Sequence, residues 1–284
     1  MQGKIVKGVG GRYSVAAQGE IYECAIRGAI RREDRICVGD EVCFDAQARV
    51  IERILPRKNF LLRPGVANVD QLLFVIAPSP KPDFLLLDKI LIRCLRESVP
   101  VLLGINKSDL FMLAFSEAVC RDYAGAAERI LLFSAKTGEN LEKVRAALEG
   151  KLTCLCGQSA VGKSSLLNAL FPHCRAEVGG LSSKTERGRH TTRHSEIFGF
   201  GKILLCDTPG FSSFELEGIG AESLADCYPE YAECAADCRF RGCTHDREPD
   251  CEVKRRVESG ALGAERYARY LELLHEIKRR KKYE

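Results

Sequence analysis

The sequence contains no apolar run approaching the roughly 20 residues that a membrane-spanning helix requires. Its first residues, MQGKIVKGVGGRYS, lack the apolar core of a secretory leader. There is no strong charge of either sign. The 43 lysines and arginines against 39 acidic residues leave a net charge of +4, too mild to require a nucleic-acid partner by itself. These absences point to a cytoplasmic globular protein without a membrane partner. Its 284 residues suffice for about two domains of roughly 100–200 residues each.

Cysteine, by contrast, is abundant, with 14 residues. With no sign of export, a disulfide framework is disfavoured. Cys94, Cys120, Cys154, Cys156 and Cys206 stand singly among apolar neighbours, as small buried hydrophobes do. Basic residues gather in LPRKNFLLR (Arg57, Lys58, Arg63) and in KRRKK (Lys278 to Lys282). Such patches either neutralise phosphates or face water.

Residues 1–64 carry short alternating runs such as IYECAI, which puts Tyr22, Cys24 and Ile26 on one face. VGDEVCF and RVIERIL read the same way. Several short strands without helical period predict a small β-barrel, and LLRPGVAN reads as a linker. From Val69 the pattern alternates between buried strands (QLLFVIA, VPVLLGIN, ERILLFSA, KLTCLC, KILLCDTPGF) and helical stretches (DFLLLDKILIRCLRE, ENLEKVRAALEG, SSLLNALF). That alternation predicts a doubly wound parallel sheet. After about residue 215 the strand signals stop, leaving a helical, cysteine-rich segment. The resulting division is a barrel over 1–64, an α/β domain over 65–214 and a C-terminal domain over 215–284.

GQSAVGKSS follows a strand and opens a helix, the context a phosphate-binding loop needs. Gly157, Gln158, Ser159, Ala160, Val161 and Gly162 would turn backbone N–H groups inward around an anion. Lys163 would reach the β and γ phosphates, Ser164 would offer its hydroxyl to Mg²⁺, and Ser165 continues the first helical turn. NKSD, after VPVLLGI, addresses the base: Asp109 can accept from the guanine N1–H and 2-amino groups, which adenine lacks. Asn106 would tie this loop to the phosphate loop, and Lys107 would cover the ring. Ser134, Ala135 and Lys136 follow the next strand, where small residues let N–H groups approach the guanine carbonyl.

CDTPGF supplies Asp207 for Mg²⁺ through water and the N–H of Gly210 for the γ-phosphate. SKTERGRHTTRH reads as the other switch, where Thr192, or else Thr191, would complete the Mg²⁺ shell. Familiar GTPases carry glutamine just after the switch glycine; here Phe211 stands there and cannot orient water, so His190 is the candidate. The motifs run base, base, phosphate, switch, switch, an order that a circularly permuted GTPase explains. The break would lie just after Gly210, so that the second switch leads straight into the C-terminal segment.

Within CRFRGCTHDREPDC, Cys238, Cys243, His245 and Cys251 suit tetrahedral zinc. The segment is poor in large apolar residues, so a metal would replace a core. Cys227 and Cys234 could compete as ligands.

The order NKSD, SAK, GQSAVGKSS, RHTT, DTPGF and the cysteine–histidine run resembles the RsgA (YjeQ/YloQ) family of GTPases dependent on the small ribosomal subunit. The resemblance covers nearly the whole chain. It implies an oligonucleotide/oligosaccharide-binding (OB-fold) barrel, a permuted P-loop GTPase and a zinc knuckle, with GTP or GDP, Mg²⁺ and Zn²⁺ as ligands. It further implies catalysis through His190, and late maturation of the 30S subunit as the task, with the subunit and its rRNA as partners of a monomer. The barrel lacks an obvious aromatic platform for RNA. Two alternatives are a nucleotide-sensing RNA-binding module whose hydrolysis is incidental, and a P-loop ATPase or kinase.

Overall fold

The computed structural model describes residues 1–27, 36–62, 65–110, 113–172, 195–207, 216 and 218–280. The chain opens with five strands, β1 (Gln2–Val9), β2 (Arg12–Ala17), β3 (Glu20–Ile26), β4 (Glu41–Asp45) and β5 (Val50–Ile54). Period-two alternation sends Ile5, Val15, Cys24, Val42, Phe44 and Ile51 into one core. The two-residue loops Gly10–Gly11 and Gln18–Gly19 all have positive φ, as tight hairpins matching the strand twist require. Pairings of β1 with β4 and of β3 with β5 close the barrel. On β3, Cys24 is buried and Tyr22 packs on the Phe44 ring at 5.2 Å, while Ile26 at the strand end is exposed.

The stretch read as a linker is instead a two-stranded ribbon, β6 (Phe60–Leu61) with β7 (Val66–Ala67). It is held by polar groups. Arg57 donates to both carboxylate oxygens of the fully buried Asp40, at 2.6 and 2.8 Å. Lys58 pairs with Asp70, and Asn59 exchanges two hydrogen bonds with the backbone of Val69. Arg57 and Lys58 are thus engaged within the protein; Arg63 lies outside the described residues.

Strands β8 (Gln71–Ile76), β9 (Val101–Ile105), β10 (Arg129–Leu132), β11 (Leu152–Cys156) and β13 (Ile203–Asp207) form a parallel sheet in the order β10-β9-β8-β11-β13. β8, β9 and β11 are buried at every position, which explains their largely apolar character; the two buried polar residues, Gln71 and Thr153, bond each other. One strand departs from the expected all-parallel sheet. β12 (Glu196–Phe200) pairs antiparallel with β13, because two residues between them are too few for a crossover. β12 also meets β1 at Lys7 and Glu196, so the sheet runs on into the barrel.

Helices α1 (Phe84–Arg96), α2 (Leu113–Tyr123), α3 (Leu141–Leu148) and α4 (Lys163–Leu170) cover the parallel sheet. The Asp83 side chain caps α1 by accepting from Leu86 N at 2.9 Å, a cap worth about 1 kcal/mol. In α3, Val144 and Leu148 are buried and Leu141 packs beside them, the predicted inward face.

Beyond β13 the described residues form no strand. Helices α5 (Pro229–Ala235), α6 (Glu252–Glu258) and α7 (Ala264–Arg280) make the C-terminal module. It has a core after all: Tyr228, Tyr231, Tyr270, Leu273 and Leu274 are almost wholly buried, and the Tyr270 ring meets the stacked rings of Tyr228 and Tyr231 edge-on near 5 Å. The sequence hides this core because tyrosine reads as polar. No described helix is long and apolar enough to cross a membrane.

Candidate functional site

The loops after β8, β9, β10 and β11 emerge together, because parallel strands place their C-terminal ends on one side of the sheet. The phosphate loop leaves β11 at Gly157, whose φ is 134° and where a side chain would collide with the Val75 carbonyl. It ends at Gly162, which caps α4. Lys163 lies in the first turn of α4 and donates to the loop carbonyls of Gly157 (2.7 Å) and Gln158 (2.5 Å). Ser164 and Ser165 are exposed beside it, whereas Val161 is fully buried and anchors the loop in the core. Gln158 Oε1 accepts from Asp83 N at 2.9 Å, tying the loop to the start of α1. Ser159 and Ala160 are exposed at its tip.

The base loop leaves β9 at Asn106, which is 2 % exposed. Its Nδ2 donates to Val161 O at 2.8 Å and its Oδ1 accepts from Ala135 N at 3.0 Å. One side chain therefore joins three loops separated widely in sequence. Lys107 Nζ donates to Ser79 O at 2.5 Å and to Ala160 O at 3.1 Å. The base and phosphate motifs thus line one corner despite their inverted order. Asp109 sits on a single 3₁₀ turn, Ser108–Leu110, and its Oδ1 accepts from Ser134 Oγ at 2.6 Å. Ser134 also accepts from Lys136 N (3.3 Å) and Thr137 N (3.1 Å), so its hydroxyl organises both loops. The Ala135 N–H, expected to face the guanine carbonyl, is engaged with Asn106 here. Ser79, Asp83 and Glu139 belong to the same corner and carry no motif that could single them out.

His190, Thr191, Thr192, Gly210 and Phe211 lie outside the described residues, as does the side chain of Asp207. The backbone of Asp207 ends β13, paired with Leu155 of the phosphate-loop strand.

In the C-terminal module, one ligand atom from each of Cys238, Cys243, His245 and Cys251 lies within 4.8 Å of the others. His245 Nδ1 is 3.3 Å from Cys251 Sγ and 3.7 Å from Cys238 Sγ, and the two sulfurs are 4.0 Å apart. Zinc bonds of about 2.0–2.3 Å in a tetrahedron give ligand separations of roughly 3.5–3.8 Å, so the donor set fits. Burial lowers the His245 pKa, favouring the neutral ligating imidazole, and pushes the Cys243 thiol up to about 12. A cation is what would hold such sulfurs as thiolates. Cys227 and Cys234 do not join this group; their thiols face the turn carbonyl of Ser223 and the helical carbonyls of Glu230 and Tyr231.

The ligand loop is held from behind. Tyr267 and Tyr270 donate to the carbonyls of His245 (2.5 Å) and Thr244 (2.6 Å). Glu248 accepts from Thr244 N, Thr244 Oγ1 and Asp246 N, which holds its pKa down to about 2 despite partial burial.

A family profile described as RsgA GTPase matches residues 54–217, and one described as RsgA N-terminal domain matches residues 2–50. The chain belongs to the RsgA GTPase family. It is similar to proteins named small ribosomal subunit biogenesis GTPase RsgA. The one from Agathobacter rectalis is 41% identical over 302 residues, covering 100% of both chains. That from Shouchella clausii is 40% identical over 290 residues, covering 99% of each. Among solved structures, YjeQ from Thermotoga maritima superposes with a TM-score of 0.81 at 33% identity, over 97% of this chain and 98% of that one. YloQ, described as a circularly permuted GTPase, gives 0.78 at 32%, over 98% and 95%. RsgA membership accounts for the inverted motif order: the fold is a barrel, a circularly permuted P-loop GTPase and a helical module with a zinc-compatible cluster.

Proposed function

We propose that this chain hydrolyses GTP to GDP and phosphate while acting in maturation of the small ribosomal subunit, in the cytoplasm and as a monomer. The observation that supports the reading is the 2.8 Å bond from Asn106 to the Val161 carbonyl, which joins the loops of the base and phosphate motifs at one corner. Membership of a GTPase family supports GTP or GDP as the nucleotide, with Mg²⁺ as its ion.

The residues divide the work by chemistry. Asp109, oriented by Ser134, accepts from the two guanine donors; a site built on those bonds rejects adenine by orders of magnitude. Asn106, Lys107, Ala135 and Lys136 shape the base slot. The N–H groups from Gly157 to Ser165 cradle the phosphates at the start of α4. On GTP binding, Lys163 leaves the carbonyls of Gly157 and Gln158 for the β and γ phosphates. Ser164, Thr192 and Asp207 would hold magnesium, which would offset charge developing on the phosphates. The Gly210 N–H meets the γ-phosphate. His190 orients the attacking water in place of the missing glutamine.

Cys238, Cys243, His245 and Cys251 hold zinc as a structural centre. The functional boundaries fall at 1–64, the barrel that meets rRNA, 65–214, the permuted GTPase, and 215–284, the zinc-binding module. GTP turnover measured with and without purified small subunits tests this reading. Strong stimulation, lost in His190→Ala and Lys163→Ala, is expected. A rate indifferent to the subunit would overturn it.

A further inference from the structure

Asp109 is not oriented by Ser134 alone. Its neighbour Ser108 donates from Oγ to Glu139 Oε2 at 2.7 Å. Ser108 and Asp109 share the same 3₁₀ turn, and Ser134 and Glu139 are the two ends of the facing loop. That loop is closed on itself: Ser134 N donates to Glu139 O at 3.1 Å and Gly138 N to Ser134 O at 3.0 Å. Two adjacent side chains on one loop are therefore fastened to the two ends of the other. A single bond, Ser134 to Asp109, would leave the turn free to roll about that bond. The second fixes the roll.

The turn needs such a fastening because little else holds it. Its backbone contacts are Ser108 N to Phe133 O at 3.2 Å and Leu110 N to Lys107 O at 3.0 Å. It follows Lys107, whose φ is +65°, a conformation unfavourable to a residue with a side chain. Leu110 at its end is 48 % exposed and adds no anchor. The carboxylate of Glu139 accepts from a neutral hydroxyl, and a bond with one charged partner is shorter and stronger than one between neutral groups.

We propose that Glu139 is a positioning residue for guanine selection, acting through Ser108 on the orientation of Asp109. Glu139 does not touch the base. The inference rests on the guanine-site reading above and assigns to it a residue outside the NKxD and SAK motifs.

The test is binding of a fluorescent GDP analogue by the full-length protein, with dissociation rates and competition by GDP, IDP and XDP. In Glu139→Ala, GDP dissociation and the KM for GTP rise about threefold to tenfold, the span of one net hydrogen bond, while kcat keeps its value. The GDP-over-IDP preference falls, because the bond to the 2-amino group depends on the carboxylate's angle. Glu139→Gln, which retains a neutral carbonyl acceptor, recovers most of the wild-type binding. Ser108→Ala matches Glu139→Ala, and the double substitution is no worse than either alone.

Unchanged GDP dissociation in Glu139→Ala would overturn the inference, as would additive effects in the double variant. So would a Glu139→Gln protein as impaired as Glu139→Ala. A drop in melting temperature with an unaltered GDP-over-IDP ratio would show mere loop stabilisation and also overturn it. If the wild-type protein bound no guanine nucleotide, the site reading itself would fall, a result distinct from all of these.

Discussion

The guanine corner and the seam between α1 and the C-terminal module are both buried and both polar, yet they are built oppositely. In the corner, the amide of Asn106 and the hydroxyl of Ser134 each meet donors and acceptors at 2.6–3.3 Å. In the seam, Asp88 and Arg266 are 1 % and 3 % exposed, with Glu230 and Arg269 beside them. Arg269 bonds Asp88 Oδ2 at 2.6 Å. Arg266 Nε stands 2.9 Å from Glu230 Oε1 and 3.7 Å from Asp88 Oδ1, off the line of a hydrogen bond. Six buried side-chain atoms among the described residues lack a hydrogen-bond partner, and all six belong to this seam: Asp88 Oδ1, both Glu230 oxygens, Arg266 Nε and the Tyr228 and Tyr231 hydroxyls. Burial raises the carboxyl pKa values of Asp88 and Glu230, against the pull of the guanidinium groups. A fully satisfied network specifies one geometry; a partly satisfied one leans more on charge.

The largest effect that would sharpen this contrast is metal removal. Structural zinc sites contribute about 10–16 kcal/mol of apparent binding energy, so chelation should unfold the C-terminal module. Near-ultraviolet dichroism would report its buried tyrosines, while GDP binding at the corner survives. Next, Asp88→Asn strips the seam of a carboxylate between two arginines and should cost about 3–5 kcal/mol in denaturant unfolding. Replacing Asp88, Glu230, Arg266 and Arg269 together by leucine and methionine should cost little or even stabilise, by about 1–4 kcal/mol. The corner should not behave that way. Asn106→Ala leaves the Val161 carbonyl and the Ala135 N–H unpaired, at about 1–3 kcal/mol each, and no apolar replacement should recover GDP binding in calorimetry. Smallest is the exposed Lys7–Glu196 pair between barrel and β12, at 2.9 Å. Lys7→Ala should lower stability by at most about 1 kcal/mol, and less in high salt.

The corner was legible in the sequence because its chemistry dictates residue types at fixed offsets. Gly157, Lys163, Asn106 and Asp109 can each be replaced by little else, and strand runs such as QLLFVIA locate them on the sheet. The cluster of Cys238, Cys243, His245 and Cys251 was legible for the same reason. The seam was not, since a buried Asp88 in a helix reads like any solvated aspartate until Arg266 and Arg269, far along the chain, fold onto it. β12 was missed because EIFGF is short and its partner on one side is a barrel strand. The C-terminal core was missed because its largest members, Tyr228, Tyr231 and Tyr270, are tyrosines and its leucines Leu273 and Leu274 come from a helix distant in sequence from the cysteine run. Glu139 escaped because its role depends on which serine it meets across two loops.

The central claim is that Asn106–Asp109 and Gly157–Ser165 embrace one guanine nucleotide, and its most direct test is the base preference of Asp109→Asn. Exchanging the carboxylate for an amide should weaken GTP and GDP and admit xanthosine nucleotides, whose extra carbonyl can accept from the new side chain, with hydrolysis by Lys163 intact. An Asp109→Asn protein with unaltered preference for GTP over XTP would contradict the account.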